Sequence, residues 1–326
     1  MEDQHHRPIT YLRLSIIDRC NLRCFYCTPV QELVKLHHGD ILRYEELMRL
    51  ARVAVGLGIR KIRVTGGEPL IRLGIEDFLR KLGAIPGLAE VCLTSNGVLL
   101  AEKAAALWQA GVRRLNISLD SLQPERFAHI TGQDRLAQVW AGLQTATSLG
   151  FAPIKINCVV LRGINDDEIA AFARLSLHYS WHIRFLEFMP IGHPLSRWQK
   201  YFVPVAEIQD RLRDVGVLEQ LPTLANGGPA VRYRFLGAPG EIGFISPMSR
   251  HFCGSCNRLR LTADGRLRPC LFHNNEIPVK GPLRAGASDA ELEALFLRAI
   301  HRKPAHHCLH PPETLGEDRL MASIGG

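Results

Sequence analysis

The chain has 326 residues, 46% hydrophobic and 22% charged, the balance of an ordinary globular protein with room for one large α/β domain or a barrel plus a smaller domain. No run approaches the roughly 18 apolar residues of a membrane span, and residues 1–10 lack the apolar stretch of a secretory signal, so the expectation is a cytoplasmic protein with no membrane partner. The net charge of +8 suits an anionic partner, but no dense Lys/Arg run with interleaved aromatics is present, which favours a small polyphosphate over nucleic acid.

Strand-like runs fall at Tyr11–Ile17, Lys61–Thr65, Glu90–Thr94, Arg114–Leu119, Ile154–Val160 and Ile183–Phe188. Amphipathic stretches of helical period separate them, at Tyr44–Leu57, Ile75–Leu82, Ala101–Ala110, Gln133–Leu149 and Asp166–His178. Gly58 and Gly111 read as helix C-terminal stops, and Asn165 as an N-cap ahead of Asp166, Asp167 and Glu168. Strands alternating with helices, and nearly continuous in apolar residues, predict a parallel sheet covered by helices. An open doubly wound sheet and a partial TIM-like (β/α)6 barrel both satisfy this pattern. The polar residues lean toward the barrel. Cys20–Cys27, Gly66-Gly67-Glu68, Ser95-Asn96, Ser118–Asp120 and Glu187–Met189 all lie at or just past strand C-termini, where barrel enzymes assemble a site.

Beyond residue 220 the character changes. Residues 222–229 are rich in Pro and Gly, and strand-like pieces follow at Val231–Leu236, Ile242–Ser246 and Arg258–Thr262, the last leading into an Asp264-Gly265 hairpin turn. A final helix is expected over Asp289–Ile300. The expected organisation is a barrel over residues 1–221 and a hairpin-rich C-terminal extension over 222–326.

Six of the nine cysteines, in two tight sets, carry the chemistry. An odd number in a non-secreted chain argues against a disulfide framework and for metal binding. Cys20, Cys24 and Cys27 have the spacing C-x3-C-x2-C directly after the first strand. Three thiolates on one loop suit three irons of a [4Fe–4S] cube, with the fourth iron open to a ligand; electron-transfer clusters use four cysteines, and structural zinc normally takes four ligands. Cys253, Cys256 and Cys270 form a second set, C-x2-C-x13-C. By spacing alone a zinc knuckle with His251, His273 or Cys308 as fourth ligand is the better reading there. Cys92 and Cys158 fall inside strands and read as packing residues; His129, His178 and His182 carry no signal, and residues 306–310 read as a solvated tail.

The first cysteine loop, together with Thr65-Gly66-Gly67-Glu68-Pro69, resembles the radical S-adenosylmethionine superfamily. The resemblance implies a partial barrel whose cluster follows the first strand. One electron from the cluster would cleave S-adenosylmethionine, and the resulting 5′-deoxyadenosyl radical would abstract a substrate hydrogen. From Tyr11 to Gly326 the chain further resembles the GTP 3′,8-cyclases of molybdenum cofactor biosynthesis. Leu12–Ser15, Arg63–Leu70, Thr94–Gly97, Asn116–Asp120, Phe188–Pro190, Gly243–Pro247, Cys253–Leu271 and the terminal glycines carry it. Ile17 and Ser95 depart from the family pattern, each replacing a threonine.

That resemblance implies a second [4Fe–4S] cluster on Cys253, Cys256 and Cys270. It implies S-adenosylmethionine contacts from Tyr26, Gly67, Glu68, Ser118 and Met189, with Glu68 on the methionine ammonium. GTP would meet Arg13, Arg63, Thr94, Lys155, Arg258, Leu259 and Arg260; Arg258 and Arg260, with the tail glycines Gly325 and Gly326, would serve cyclisation. The implied partners are GTP, an electron donor such as flavodoxin or ferredoxin, a second copy of the chain and the next enzyme of the pathway. A peptide maturase with an auxiliary cluster and a zinc-stabilised nucleic-acid-binding module are the competing readings.

Overall fold

The computed structural model describes residues 1–27, 35–192, 195–223, 228–307 and 319–325. Strands and helices alternate along the first half: β1 (Tyr11–Ser15), α1 (Tyr44–Gly56), β2 (Lys61–Thr65), α2 (Ile75–Gly83), β3 (Glu90–Ser95), α3 (Leu100–Gln109) and β4 (Arg114–Ser118). There follow α4 (Pro124–Thr131), α5 (Leu136–Ser148), β5 (Ile154–Val160), α6 (Ile169–His178) and β6 (His182–Glu187). Two short helices, α7 (Leu195–Tyr201) and α8 (Val205–Asp210), lead to β7 (Leu218–Gln220), β8 (Val231–Phe235), β9 (Glu241–Ile245), β10 (Arg258–Leu261), β11 (Arg266–Arg268) and β12 (Ile277–Pro278). The chain closes with α9 (Lys280–Arg284), α10 (Asp289–His301) and α11 (Met321–Ile324).

Among the described residues all twelve strands join one sheet, in the order β12-β11-β10-β1-β2-β3-β4-β5-β6-β9-β8-β7. The run from β10 to β9 is parallel throughout. The C-terminal strands therefore extend the six-stranded core at both edges. Arg258 stands level with Tyr11 on one side and Glu241 level with His182 on the other. Both edges curl around a common interior, because residues from β1 to β6, β9 and β10 line a single cavity. The result is an incomplete barrel, with β9 and β10 unbonded to each other.

Side chains alternate along each strand. Leu12, Leu14, Ile62, Val64, Leu115, Ile117, Ile156, Ile183 and Phe185 are fully buried in the core beneath the helices. The intervening positions, including Tyr11, Arg13, Lys61, Arg63, Asn116, Lys155, Asn157 and Arg184, face the cavity. The expectation of strands apolar on both faces is thus corrected: the inner face is polar because it surrounds a site.

Two local expectations also change. Gln133–Leu149 was expected as one helix, but α5 begins only at Leu136, and α4 precedes it, starting with Pro124 at its first turn and stopping at Gly132 (φ +74°). Asn165 does not cap α6, whose N-cap is Glu168. Buried at 1% exposure, Asn165 instead donates to the carbonyls of Asp120 (2.7 Å) and Val159 (2.9 Å) and accepts from Leu161 N–H (2.7 Å). It ties the end of β5 to the turn after β4. Gly58 and Gly111 do end their helices in the left-handed region, at φ +103° and +91°.

Candidate active site

The two cysteine sets stand at opposite ends of one cavity of about 480 Å³. Cys20, Cys24 and Cys27 follow β1 and sit at the C-terminal mouth of the barrel. Cys253 and Cys256 precede β10, which runs parallel to β1; Cys270 follows β11, which runs antiparallel to β10. Those three therefore meet at the N-terminal end. All six are free thiols that line the cavity.

The backbone of the glycine-rich turn holds the first cysteine loop. Gly67 N–H donates to Ile17 O at 2.7 Å, and Glu68 N–H to Arg19 O at 2.8 Å. A Cβ on Gly66 would lie 2.5 Å from Ile17 O, and one on Gly67 only 2.2 Å from Arg19 O. The missing side chains thus let the turn approach the entry of the cysteine loop closely, while both glycines also face the cavity. From the other side, Arg23 and Phe25 N–H groups bond Thr131 and Ile130 carbonyls of α4. Asn96 Nδ2 donates to Asn21 Oδ1 at 2.7 Å and reaches Cys20 Sγ at 3.6 Å.

Of the residues expected to meet S-adenosylmethionine, Tyr26, Gly67, Ser118 and Met189 line this end of the cavity. Tyr26 OH donates to Asp120 Oδ2 at 2.5 Å, and burial pushes the Asp120 carboxyl up to about 6. Glu68, also expected there, is not among the residues that line the cavity. At 1% exposure its oxygens accept from Leu70 N (2.9 Å), Ser95 Oγ (2.9 Å) and Asn96 N (2.6 Å). Burial nevertheless raises it to about 7. In this arrangement Glu68 shapes the Ser95-Asn96 turn that steadies Cys20, and it makes no wall of the cavity.

Between the cysteine sets the wall is cationic. Arg13, Arg63, Lys155, Arg258 and Arg260 all face the cavity, joined by Lys61 and Arg184, which were not among the expected residues. Their signal was the period-2 register: Lys61 lies two residues before Arg63, and Arg184 stands level with Asn157. Lys61 is paired with Glu90 at 2.8 Å, and Arg63 donates to Tyr11 OH at 2.5 Å. Lys155 and Arg184 form no hydrogen bond or ion pair among the described residues. Burial, with Arg184, Arg114 and Arg63 nearby, presses Lys155 down to about 6. Burial and neighbouring cations likewise press Arg13 and Arg184 to about 10. Crowding like charges in a poorly screened interior is costly unless an anion joins them.

Thr94 Oγ1, Asn157 Oδ1 and Arg258 Nε are also buried without a hydrogen-bond partner among the described residues, and all three residues line the cavity. Such orphans mark the place of a polar ligand. The side chain of Leu259 is fully buried in the core, on the face opposite Arg258 and Arg260. The tail enters the barrel from the mouth. Arg319 pairs with Asp264 at 2.7 Å, and Gly325 O accepts from Arg260 Nη1 at 3.0 Å. Gly325 (φ +83°) leaves no room for a side chain, since a Cβ would lie 2.7 Å from that of Ser15. Gly326 lies outside the described residues.

A sequence model of the radical SAM superfamily matches residues 14–176, and one described as Molybdenum Cofactor Synthesis C matches residues 181–309. A protein of Moorella thermoacetica named GTP 3′,8-cyclase is 51% identical over the full length of both chains. The chain belongs to the GTP 3′,8-cyclase family. A namesake from Pelotomaculum thermopropionicum is 48% identical, also over both full lengths, and one from Gloeobacter violaceus 47% over 98% of this chain and 99% of its own. Likeness of fold extends further. Streptococcus suis SuiB bound to S-adenosylmethionine matches 82% of this chain and 61% of its own with TM-score 0.60 at 12% identity; anSMEcpe with bound AdoMet matches 91% and 82% with TM-score 0.62 at 17%.

Membership of the GTP 3′,8-cyclase family implies two [4Fe–4S] clusters, and the two thiol sets suit them. A cube takes each thiolate on a separate iron, so its ligands spread around it. Among the described residues no three His, Cys, Asp or Glu side chains converge on a single-ion position. Burial pushes Cys20 up to about 11 and Cys24 well up. At the second set, Lys303 and Arg258 overcome burial and hold Cys256 below its ordinary value. Cys308 lies outside the described residues. His307, expected in a solvated tail, is buried against His251 and Phe272, and its Nε2–H donates to Pro247 O at 2.8 Å.

Because a methyl at Gly67 collides with the carbonyl of Arg19, Gly67→Ala should displace the first cysteine loop and spare the second. Anaerobically reconstituted G67A is expected to hold about half the iron of the parent and to lose the spectral response to S-adenosylmethionine. Full iron with an unchanged response would show that the turn does not position the loop.

Proposed function

We propose that the chain cyclises GTP to (8S)-3′,8-cyclo-7,8-dihydroguanosine 5′-triphosphate, the first step of molybdenum cofactor biosynthesis. The observation that carries this reading is the cationic middle of the cavity, set between two three-thiolate ends. When bound, S-adenosylmethionine and the first cluster supply the radical that abstracts hydrogen from the substrate. Tyr26, Gly67, Ser118 and Met189 border the cofactor's end of the cavity, and exposed Cys20 is the point at which a one-electron donor such as flavodoxin or ferredoxin would approach.

The substrate's triphosphate answers the charge of Arg13, Lys61, Arg63, Lys155 and Arg184. Guanidinium groups fit phosphate oxygens in a bidentate way, and each such bond is charge-assisted. Thr94 and Asn157 offer hydrogen bonds to the same ligand. With the phosphates held in the middle, the purine is directed toward Cys253, Cys256 and Cys270, with Arg258 beside it. Arg260, holding the Gly325 carbonyl, fixes the tail beside Ser15 and Thr65, at the cofactor's end of the cavity. Its place there gives Gly325 a part in closing the ring.

The direct test is anaerobic incubation of reconstituted protein with S-adenosylmethionine, reductant and GTP. The expected result is 5′-deoxyadenosine formed in step with the cyclised nucleotide. 5′-Deoxyadenosine that appears equally without GTP would refute the substrate.

Lys155, near 6 in the free chain, is mostly neutral at pH 7.5. A phosphate brought against it favours the charged form, so binding takes up a proton and weakens as pH rises from 7 to 8.5. Calorimetry of GTP binding in buffers of differing ionisation heat should show close to one proton taken up, and Lys155→Met should abolish that uptake. Equal uptake in K155M would place the proton elsewhere.

A further inference from the structure

The second cysteine set is assembled from separate stretches of chain, and two buried cations join them. Lys303, just past α10, is only 3% exposed. Its Nζ donates to Arg258 O and Pro269 O, both at 2.8 Å. Arg258 lies two residues after Cys256, and Pro269 immediately precedes Cys270. Arg7 donates from Nη1 to Cys253 O (2.8 Å) and Ala305 O (3.1 Å), and from Nη2 to Pro304 O (2.7 Å). The N-terminal arm and the segment after α10 thus grip all three cysteine-bearing stretches.

The two cations differ in one respect. Arg7 carries its own counter-charge, Asp3 Oδ2 at 2.7 Å. Lys303 has no carboxylate partner among the described residues, although an unpaired buried ammonium is expensive. It has three N–H donors, of which two meet the carbonyls, and it also lines the cavity beside Cys253, Cys256 and Cys270. An oxidised cube on three thiolates carries about one net negative charge, and one more when reduced. That anion supplies what Lys303 lacks.

We propose that Lys303 is a positioning residue of the second cluster, clasping the Cys256 and Cys270 segments together and serving as the cluster's counter-charge. The inference rests on the two-cluster reading above. A cation at this place favours the more negative, reduced cluster, so its removal lowers the midpoint potential. Lys303→Gln keeps a donor and loses the charge; Lys303→Met loses both.

Both variants and the parent are compared as full-length protein, reconstituted anaerobically, by iron content and by redox titration followed by electron paramagnetic resonance. S-adenosylmethionine is added to mark the first cluster's signal. K303Q is expected to retain the parent's iron with the second cluster's potential moved to more negative values and the first cluster's unmoved. K303M is expected to lose about half the iron, all from the second site. An unchanged second potential in K303Q, or equal loss from both sites in K303M, overturns the proposal.

Hydrogen exchange of the apoprotein judges the clasp without any cluster. K303M should exchange faster across residues 253–257 and 269–272 and unchanged across 20–27; no difference refutes the clasp. A parent that binds zinc at the second set refutes the two-cluster reading, and the counter-charge with it, and leaves the exchange result to decide the clasp.

Discussion

The inner face of the barrel holds more positive charge than its own acids can balance, and the rest of the site is arranged around that imbalance. Glu90 is shared between Lys61 and Arg114 at 2.8 Å each, leaving Lys155 and Arg184 without a partner among the described residues. The outer face of the same strands is largely apolar. Leu12, Leu14, Ile62, Val64, Ile156 and Phe185 are packed under the helices, and their burial offsets the cost of the crowded charge. A polyanion completes the balance, which is why substrate binding and the electrostatics of the fold are one problem here.

Parallel pairing then decides where the two thiol sets go. Because β10 runs alongside β1 in the same direction, a loop that follows β1 and a loop that precedes β10 must lie at opposite ends. The five residues of β1 separate them by roughly 15 Å. The cationic layer falls in the gap. Topology, more than any single contact, gives the cavity a cofactor end, a phosphate-binding middle and a second thiolate end. The tail adds the last wall: Arg319 anchored at Asp264 carries Gly325 to Arg260.

Much of this was legible in the sequence, and the failures have physical causes. The six central strands and the cysteine spacing could be read directly, because apolar periodicity and thiol spacing are local signals. Lys61 and Arg184 were missed because a charged residue in a strand looks like surface until the register shows which face it shares with Arg63 or Asn157. Asn165 has the residue type and flanks of a helix cap, yet its amide is used across the chain to Asp120 and Val159. Glu68 was expected at the ligand and is taken by three groups on the following turns. Lys303 had no signal at all, since its partners are main-chain carbonyls brought together only by folding.

The most direct measurement is the structure of an anaerobically grown crystal of the reconstituted protein with GTP, using anomalous scattering at the iron edge. Two iron peaks, one by Cys20, Cys24 and Cys27 and the other by Cys253, Cys256 and Cys270, with the triphosphate against Arg63, Lys155 and Arg184 between them, are the predicted result. A single iron peak, zinc at the second set, or a triphosphate bound outside the barrel would contradict the account.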